Sequence, residues 1–437
     1  MFHSSHTLAP SEGAALPARG HIGLAVLGSI ATGLAAGVAL DLLVFGGSGE
    51  TTITGLALLS LAFGFALLAG ISAWWTSQPQ RWAFAPAVSL GLLGTSILVA
   101  GPSNRVLGLM GWVWPILLLG LVSWMVRHAR RSLRSWSRPA LLYPASIVLA
   151  LVAVGGAFET VAEATTSSSA PSSGHLYAVN GHSLYLNCSG TGTPTVLLFN
   201  GFGERTPSWT SVQRNVAAST RVCTFDRAGE GWSGAAPGRQ DGRQLAADLH
   251  ALLDTARVPG PYVLAGHSVG GTYALVYAQQ YSSQVAGVAL VDSSTPYQFA
   301  LPDYPSFYST WRRVSALFPT MGRAGISRIF GLGNPLELRA DRNEFAELPT
   351  AFKQAQALTT LGSKPLVVLT AGLGQQAGWF AAQDKLALLS SNRAHRTARG
   401  ATHGALLEDQ RFAAITSVAI TAVVFSARSG VSLTGPK

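Results

Sequence analysis

Charge is scarce in this sequence. Asp, Glu, Lys and Arg make up only 11% of its 437 residues, where a soluble domain carries about a quarter. The deficit is uneven. From Ile22 to Val126 long apolar runs alternate with short polar joints, and from Gly174 onward charges return at ordinary density. One part of the chain therefore belongs in lipid and the other in water. The net charge of +10 is spread over both parts with no Lys-rich run, which excludes nucleic acid as the partner and leaves arginines at membrane edges as its use. Paired or repeated ionisable residues are missing from the apolar part, so a transport path is not its reading. No metal-site or cofactor-binding motif is visible, and none is expected.

A bilayer core takes about 20 apolar residues per helix. Five stretches qualify: Ile22–Val44, Ile53–Trp75, Ala83–Ala100, Leu107–Val126 and Ala140–Phe158. The first is too long, and followed by too many others, for a cleaved signal peptide. The joint between the fourth and fifth, RHARRSLRSWSR, carries Arg127, Arg130, Arg131, Arg134 and Arg138, and short Arg-rich loops stay cytoplasmic. Counting alternately, Arg19 and Arg81 also fall inside, while the outer joints hold Arg105 and the acidic Glu50. The N-terminus is then cytoplasmic, and an odd number of spans puts the rest of the chain outside. Gly33 and Gly37 form a G-x-x-x-G pair suited to close helix approach. Asp41 is expected at the outer interface, with its charge reaching water.

The expected organisation is a helical membrane region over residues 1–160, a flexible linker over 161–174 containing TTSSSAPSSG, and an α/β domain over 175–430. LYAVNGHSLYLNC reads as a hairpin turning at Asn180-Gly181. TVLLFNG, RVCTFD, PYVLAG, GVALVD, PLVVLT and AHRTARG read as six further strands. Leu245, Leu249, Leu252 and Leu253 keep helical spacing between Asp241 and Val258. Strands alternating with helices mean a mostly parallel sheet covered on both faces.

Four pieces now stand in order, each at a strand end: NGFGE, FDRAGEGWSG, GHSVGG and ATHGALLED. Together they resemble the α/β-hydrolase superfamily, from about Leu176 to Ala427. The resemblance implies a nucleophile elbow in which Gly266 and Gly270 flank Ser268, and Gly271 lets the next helix pack closely. It implies His403 as the base. His395 falls inside a strand and His175, His182 and His250 precede the nucleophile, while His267 within the elbow reads as structural. The acid departs from the commonest family pattern, because PLVVLTAGLGQQAGW carries no carboxylate at its turn. Two candidates stay open: Asp292, ending the preceding strand in GVALVDSSTP, and Asp384, inside WFAAQDKLALL. The oxyanion donors implied are the main-chain amides of Phe202 and Val269. Many relatives have His where Asn200 stands, which bears on loop packing. Asp226 and Arg227 read as an ion pair holding loops.

The insertion over about 296–364 resembles a helical cap. It holds Tyr297, Phe299, Tyr304, Phe307, Tyr308, Trp311, Phe318 and Phe330 among Arg312, Arg313, Arg323 and Arg328. These suit either contact with lipid headgroups and a lipophilic ester, or the cap's own core with solvated arginines. The family's strand order would set Cys188 beside Cys223, and an outside location would permit a disulfide there.

The resemblance thus implies a membrane-anchored serine hydrolase, cleaving a small-molecule or lipid ester outside the cytoplasm, with the bilayer as its other partner. Serine at the elbow disfavours dehalogenase and epoxide-hydrolase chemistry, which in this fold uses Asp there. Amide or peptide cleavage of the proline iminopeptidase kind uses the same triad. A hydrolase fold that only binds is the third reading.

Overall fold

The computed structural model describes residues 21–132, 143–165 and 170–433. Arg19, Arg134, Arg138 and linker residues 166–169 lie outside the described residues. The chain divides into two compact units, one of 1–45 with 51–157 and one of 46–50 with 158–437.

The first unit is helical; Glu50 and residues 158–165, at the ends of two of its helices, fall in the second. Helix α1 (Ile22–Ala39) continues through a π-helical turn (Leu40–Val44), followed by α2 (Glu50–Trp75), α3 (Phe84–Ala100, entered by a 3-10 turn from Arg81), α4 (Asn104–Met110), α5 (Trp114–Ser132) and α6 (Tyr143–Thr165). Leu24, Leu92, Val99, Ile116 and Leu117 expose large apolar side chains, the reverse of a helical bundle built for water. Four helical stretches of this unit, Ile22–Val44, Glu50–Trp75, Arg81–Ala100 and Tyr143–Thr165, are individually long and apolar enough to cross a membrane.

The expected fourth span is different: it is broken, with α4 and α5 meeting at 46°. Pro115, the second residue of α5, lacks the N–H that would continue a helix through 111–113 and crowds the turn before it. The fifth is longer than expected and continues to Thr165, because ETVAEAT holds neither Gly nor Pro. The first five residues assigned to the linker are therefore helix. Gly33 meets Gly64 so closely that a Cβ on it would lie 2.8 Å from the Gly64 Cα, and Gly37 faces Ser60. Asp41 does not reach water as expected: it is buried in the π-helical turn, its Oδ1 without a hydrogen-bond partner among the described residues.

In the second unit the hairpin β1 (His175–Val179) and β2 (His182–Ser189) turns at Asn180 and Gly181, with φ of 47° and 87°. Two successive left-handed residues suit the twist of a tight hairpin, and Asn-Gly tolerates them. Then come β3 (Thr195–Phe199), α7 (Thr210–Ala217), β4 (Val222–Phe225), α8 (Gly242–Thr255), β5 (Tyr262–His267), α9 (Val269–Gln280) and β6 (Val285–Val291). The cap follows as α10 (Tyr304–Ser315), α11 (Phe318–Arg323), α12 (Ile326–Ile329) and α13 (Pro335–Ala355). The chain closes with β7 (Leu366–Ala371), α14 (Trp379–Ala387), β8 (Arg393–Ala398), α15 (Ala405–Glu408) and α16 (Gln410–Ser429).

The sheet runs β1-β2-β4-β3-β5-β6-β7-β8, antiparallel at β1/β2 and β2/β4 and parallel elsewhere. Strands β3, β5 and β7 are buried at every residue, as all-apolar strands covered on both faces must be. One face packs on α8, α9, α13 and α14, the other on α7, α15 and α16. Cys188 and Cys223 sit opposite each other on β2 and β4 and form a disulfide.

Candidate active site

Strand β5 ends at His267 and α9 begins at Val269, so Ser268 carries the whole reversal of direction. Its backbone sits at φ 55°, ψ −129°, a strained conformation costing on the order of 1–3 kcal/mol. Three glycines make room for it. A Cβ on Gly266 would lie 2.5 Å from Gly270 O, one on Gly270 2.3 Å from Phe199 O, and one on Gly271 1.9 Å from Ser293 Oγ.

His403 follows β8 on the loop before α15. Its Nδ1 lies 2.6 Å from Asp292 Oδ2. The His403 side chain is about half exposed, whereas that of Asp292 is fully buried. Asp292 follows β6 with φ 42°. Its Oδ1 accepts from Ala371 N at 3.1 Å and Trp379 Nε1 at 2.8 Å, and Gln375 Nε2 donates to Oδ2 at 3.1 Å. Burial alone would push this carboxyl up, but the hydrogen bond and charge of His403, with those from Trp379 and Ala371, hold it below the ordinary carboxylate range. The other acid candidate is elsewhere. Asp384 is exposed on α14 and meets His395 Nδ1 at 2.7 Å, while His395 Nε2 meets Thr370 Oγ1. The structure thus brings Asp292, and not Asp384, to His403.

Ser268, Val269, Phe202 and His403 line one cavity of about 570 Å³. The amide of Val269 opens α9, and first-turn amides have no partner inside their own helix. The cap supplies the opposite wall through Tyr304, Phe307, Trp311, Phe345, Leu348 and Phe352, and His403 is the only titratable side chain besides Tyr304 among the lining residues.

The loop carrying Phe202 is braced from three sides. Asn200 Nδ2 donates to Phe225 O, Gly201 N–H donates to Glu204 Oε2, and Arg227 donates to the carbonyls of Asn200 and Gly201 at 2.6 and 3.0 Å. Arg227 and Asp226 do not pair with each other, contrary to expectation. Buried Arg227 meets Glu230 and, on α13, Glu344, whereas Asp226 accepts the amides of Thr206 and Trp232. Consecutive residues point to opposite sides of an extended segment, so each finds its own partner. Glu230, Asp341 and Glu344 come close enough to share a cation. Arg227 and Arg205 already stand among them, at 2.9 Å from Glu344 and 2.7 Å from Asp341, and a guanidinium supplies the counter-charge there.

His267, read as structural from its place in the elbow, is buried there, and Glu204, which the sequence does not single out, stands against it. His267 Nδ1 lies 2.5 Å from Glu204 Oε1, and His267 Nε2 lies 3.1 Å from the carbonyl of His403. The Glu ending NGFGE and the His within the elbow were the available clue. In the cap, Phe299, Tyr304, Tyr308, Phe345 and Phe352 pack on one another, so much of the aromatic content is the cap's own core. Its arginines are not all solvated. Within this unit Arg323 and Arg339 pair with Glu50, Arg328 donates twice to Glu159 at 2.7 Å, and Arg342 donates to Gly47 O.

Residues 194–328 match the family described as alpha/beta hydrolase fold. The probable transporter efuK of Hormonema carpetanum is 30% identical over 132 residues, 28% of this chain and 19% of that protein. An uncharacterized protein of Schizosaccharomyces pombe is 36% identical over 121 residues, 28% of this chain and 22% of that one. The match spans about a fifth of the length of these two relatives. Among solved structures, a thermophilic esterase from Thermogutta terrifontis superposes with a TM-score of 0.47 at 21% identity, covering 57% of this chain and 99% of the esterase. The second unit, with its eight-stranded sheet and its serine at the β5–α9 turn, has the α/β-hydrolase fold, and the matching family segment lies within it.

Proposed function

We propose that this protein is a membrane-anchored serine hydrolase that cleaves uncharged, lipophilic esters on the outer side of the membrane. The observation that carries the reading is the 2.6 Å contact of His403 with buried Asp292, at a cavity that Ser268 also lines.

The chemistry follows from the protonation that this contact selects. A buried carboxylate held ionised accepts the Nδ1–H of His403, which leaves the Nε2 lone pair as the base. Nε2 takes the Ser268 hydroxyl proton as Oγ attacks the ester carbonyl. The tetrahedral oxyanion is met by the amides of Phe202 and Val269. His403 then returns the proton to the departing alcohol. Water repeats the sequence on the acyl-enzyme, releasing the acid and free Ser268. The aromatic cap wall and the absence of a charged side chain from the lining residues, apart from what His403 acquires, favour an apolar acyl group over a charged one.

Support for the outer location is twofold: the arginines of the joint between the fourth and fifth apolar stretches, and a disulfide, which persists in oxidising compartments. The test is labelling by a fluorophosphonate probe in intact cells and after lysis. Wild type is expected to label in both, and Ser268→Ala in neither. A folded wild type that stays unlabelled after lysis would sink the enzyme reading. Labelling only after lysis with a membrane-impermeant probe would reverse the topology alone.

A further inference from the structure

Two acid–histidine pairs stand side by side in this unit, and only one has been given a task. We propose that Glu204 and His267 are positioning residues that share one proton and clamp the oxyanion loop to the loop carrying the base. This rests on the reading of Ser268 and His403 as the catalytic pair.

The argument begins with which atoms can donate. A main-chain carbonyl only accepts, so His267 Nε2, 3.1 Å from His403 O, carries a hydrogen. At the other end of the ring Nδ1 lies 2.5 Å from Glu204 Oε1. One more proton has to sit between those two atoms, since a bare Nδ1 lone pair would otherwise face a carboxylate lone pair. The pair is therefore an imidazolium and a carboxylate, neutral together. Glu204 Oε2 accepts from Gly201 N–H at 2.5 Å, next to Phe202. One continuous chain of hydrogen bonds thus runs from the oxyanion loop, through Glu204 and His267, to the backbone of the base. His267 also immediately precedes Ser268, so the three loops that must agree in position are tied at one point.

The charge balance matters as much as the tether. The His267 and His403 rings lie 4.3 Å apart. An unpaired imidazolium there would oppose the positive charge that His403 gains in each acyl-transfer step. Glu204 cancels it. The charged and titratable groups facing His267 are Glu204, His403 and, further off, Asp292. Burial alone would make His267 give up its proton and Glu204 take one up. The charge and hydrogen bond between the two outweigh burial, holding His267 above and Glu204 below their ordinary ranges.

The sign for activity follows. The clamp is intact while the shared proton is held, and it is lost as pH rises through the pKa of the pair. Once that proton leaves, Nδ1 and the carboxylate repel and the tether opens. Glu204→Gln removes this titration while keeping the bonds: its amide N–H₂ donates to a neutral His267 Nδ1, its carbonyl accepts Gly201 N–H, and Nε2–H still reaches His403 O.

The experiment uses the full chain in detergent micelles with p-nitrophenyl esters, alongside fluorophosphonate labelling. Wild type is expected to show an alkaline fall in kcat. Glu204→Ala is expected to lower kcat about a hundredfold, the order of loss for a misplacement near 1 Å, with KM unchanged. Glu204→Gln is expected to recover most of kcat near neutrality and to lack the alkaline fall. A labelled, active wild type with Glu204→Ala equally fast overturns the inference and leaves the esterase reading standing. So does an alkaline fall that persists in Glu204→Gln, an arm that decides the matter even if Glu204→Ala does not fold. A folded wild type that neither labels nor hydrolyses overturns both.

Discussion

Asp292→Asn is the substitution that asks most of the proposed mechanism, because it changes almost no volume and keeps most of the hydrogen bonds. Three donors besides His403 point at this carboxylate, and they are unevenly placed. Oδ1 receives both the Ala371 amide and the Trp379 indole, at 3.1 and 2.8 Å, neither of which can turn into an acceptor. Oδ2 receives His403 Nδ1 and Gln375 Nε2, and the Gln375 amide can flip to offer its oxygen. The new side-chain amide therefore settles with its oxygen at the Oδ1 place and its N–H₂ toward His403. An N–H aimed at Nδ1 forces the imidazole proton onto Nε2, where the lone pair for Ser268 is needed. The expected loss is about 10⁴-fold in kcat, or roughly 5 kcal/mol at 1.4 per factor of ten, with KM little changed. Thermal unfolding should move little, since the wall of donors stays satisfied. The assay is a kcat and KM measurement on a short p-nitrophenyl ester, paired with Asp384→Asn, whose exposed carboxylate meets His395 on β8. That control should keep wild-type kcat. A well-folded Asp292→Asn enzyme retaining more than about a tenth of kcat would refute the tautomer argument. A loss confined to Asp384→Asn would refute the assignment of the acid.

Two further outcomes follow from groups outside the triad. Replacing Arg227 by Met leaves buried Glu344 without its guanidinium and Glu230 with Arg205 alone, at 3.7 Å, and should cost about 3–5 kcal/mol. Burial already pushes the Glu230 carboxyl up to about 8, and loss of the guanidinium, which opposes that rise, pushes it further, so the variant falls behind wild type as pH increases through about 8. The deficit in Tm should accordingly be larger near pH ~9 than near pH ~6, and a pH-independent deficit would contradict it. The Cys188–Cys223 bridge closes a separation of 35 residues, for which chain entropy gives about 4 kcal/mol and a Tm loss on the order of 10 °C on reduction. After denaturation both thiols should alkylate only once a reductant has been added. Alkylation without reductant in protein taken from intact cells would count against both the bridge and the outer location.

The strands were legible because their apolar runs are short, rich in Val and Leu and bounded by turn residues, and the Asn180-Gly181 hairpin because two left-handed residues leave little other choice. The elbow was legible for the same reason, since its glycines answer a local steric demand. What stayed hidden depends on partners distant in the chain. Asp292 and Asp384 could not be separated by spacing, because the choice is made by Trp379 and Gln375 folding back across 87 and 83 residues. Arg227 looked like the partner of its neighbour Asp226, whereas it pairs with Glu230, three residues on, and with Glu344, 117 residues away in the cap. The break of the fourth apolar stretch was legible in principle: Pro115 stands inside it, and a count of apolar residues does not notice a missing N–H.

Hydropathy by itself also fails in the opposite direction at α16. Gln410–Ser429 is long and apolar enough to cross a membrane by length and composition, yet Ala413, Ile420, Val423 and Val424 are buried against the sheet. A helix lying on an all-apolar parallel sheet and a helix lying in lipid need the same side chains on the contacting face. The difference lies at the ends and in the polar residues between. Asp409 caps the start by accepting the amides of Arg411 and Phe412, and Thr416 Oγ1 donates to Leu406 O, in the short helix that follows His403. Moving α16 into lipid would strip the cover from β6 and β7 and release the segment that carries the base. Its apolar character is therefore required by the sheet, and through Leu406 it bears on where His403 stands.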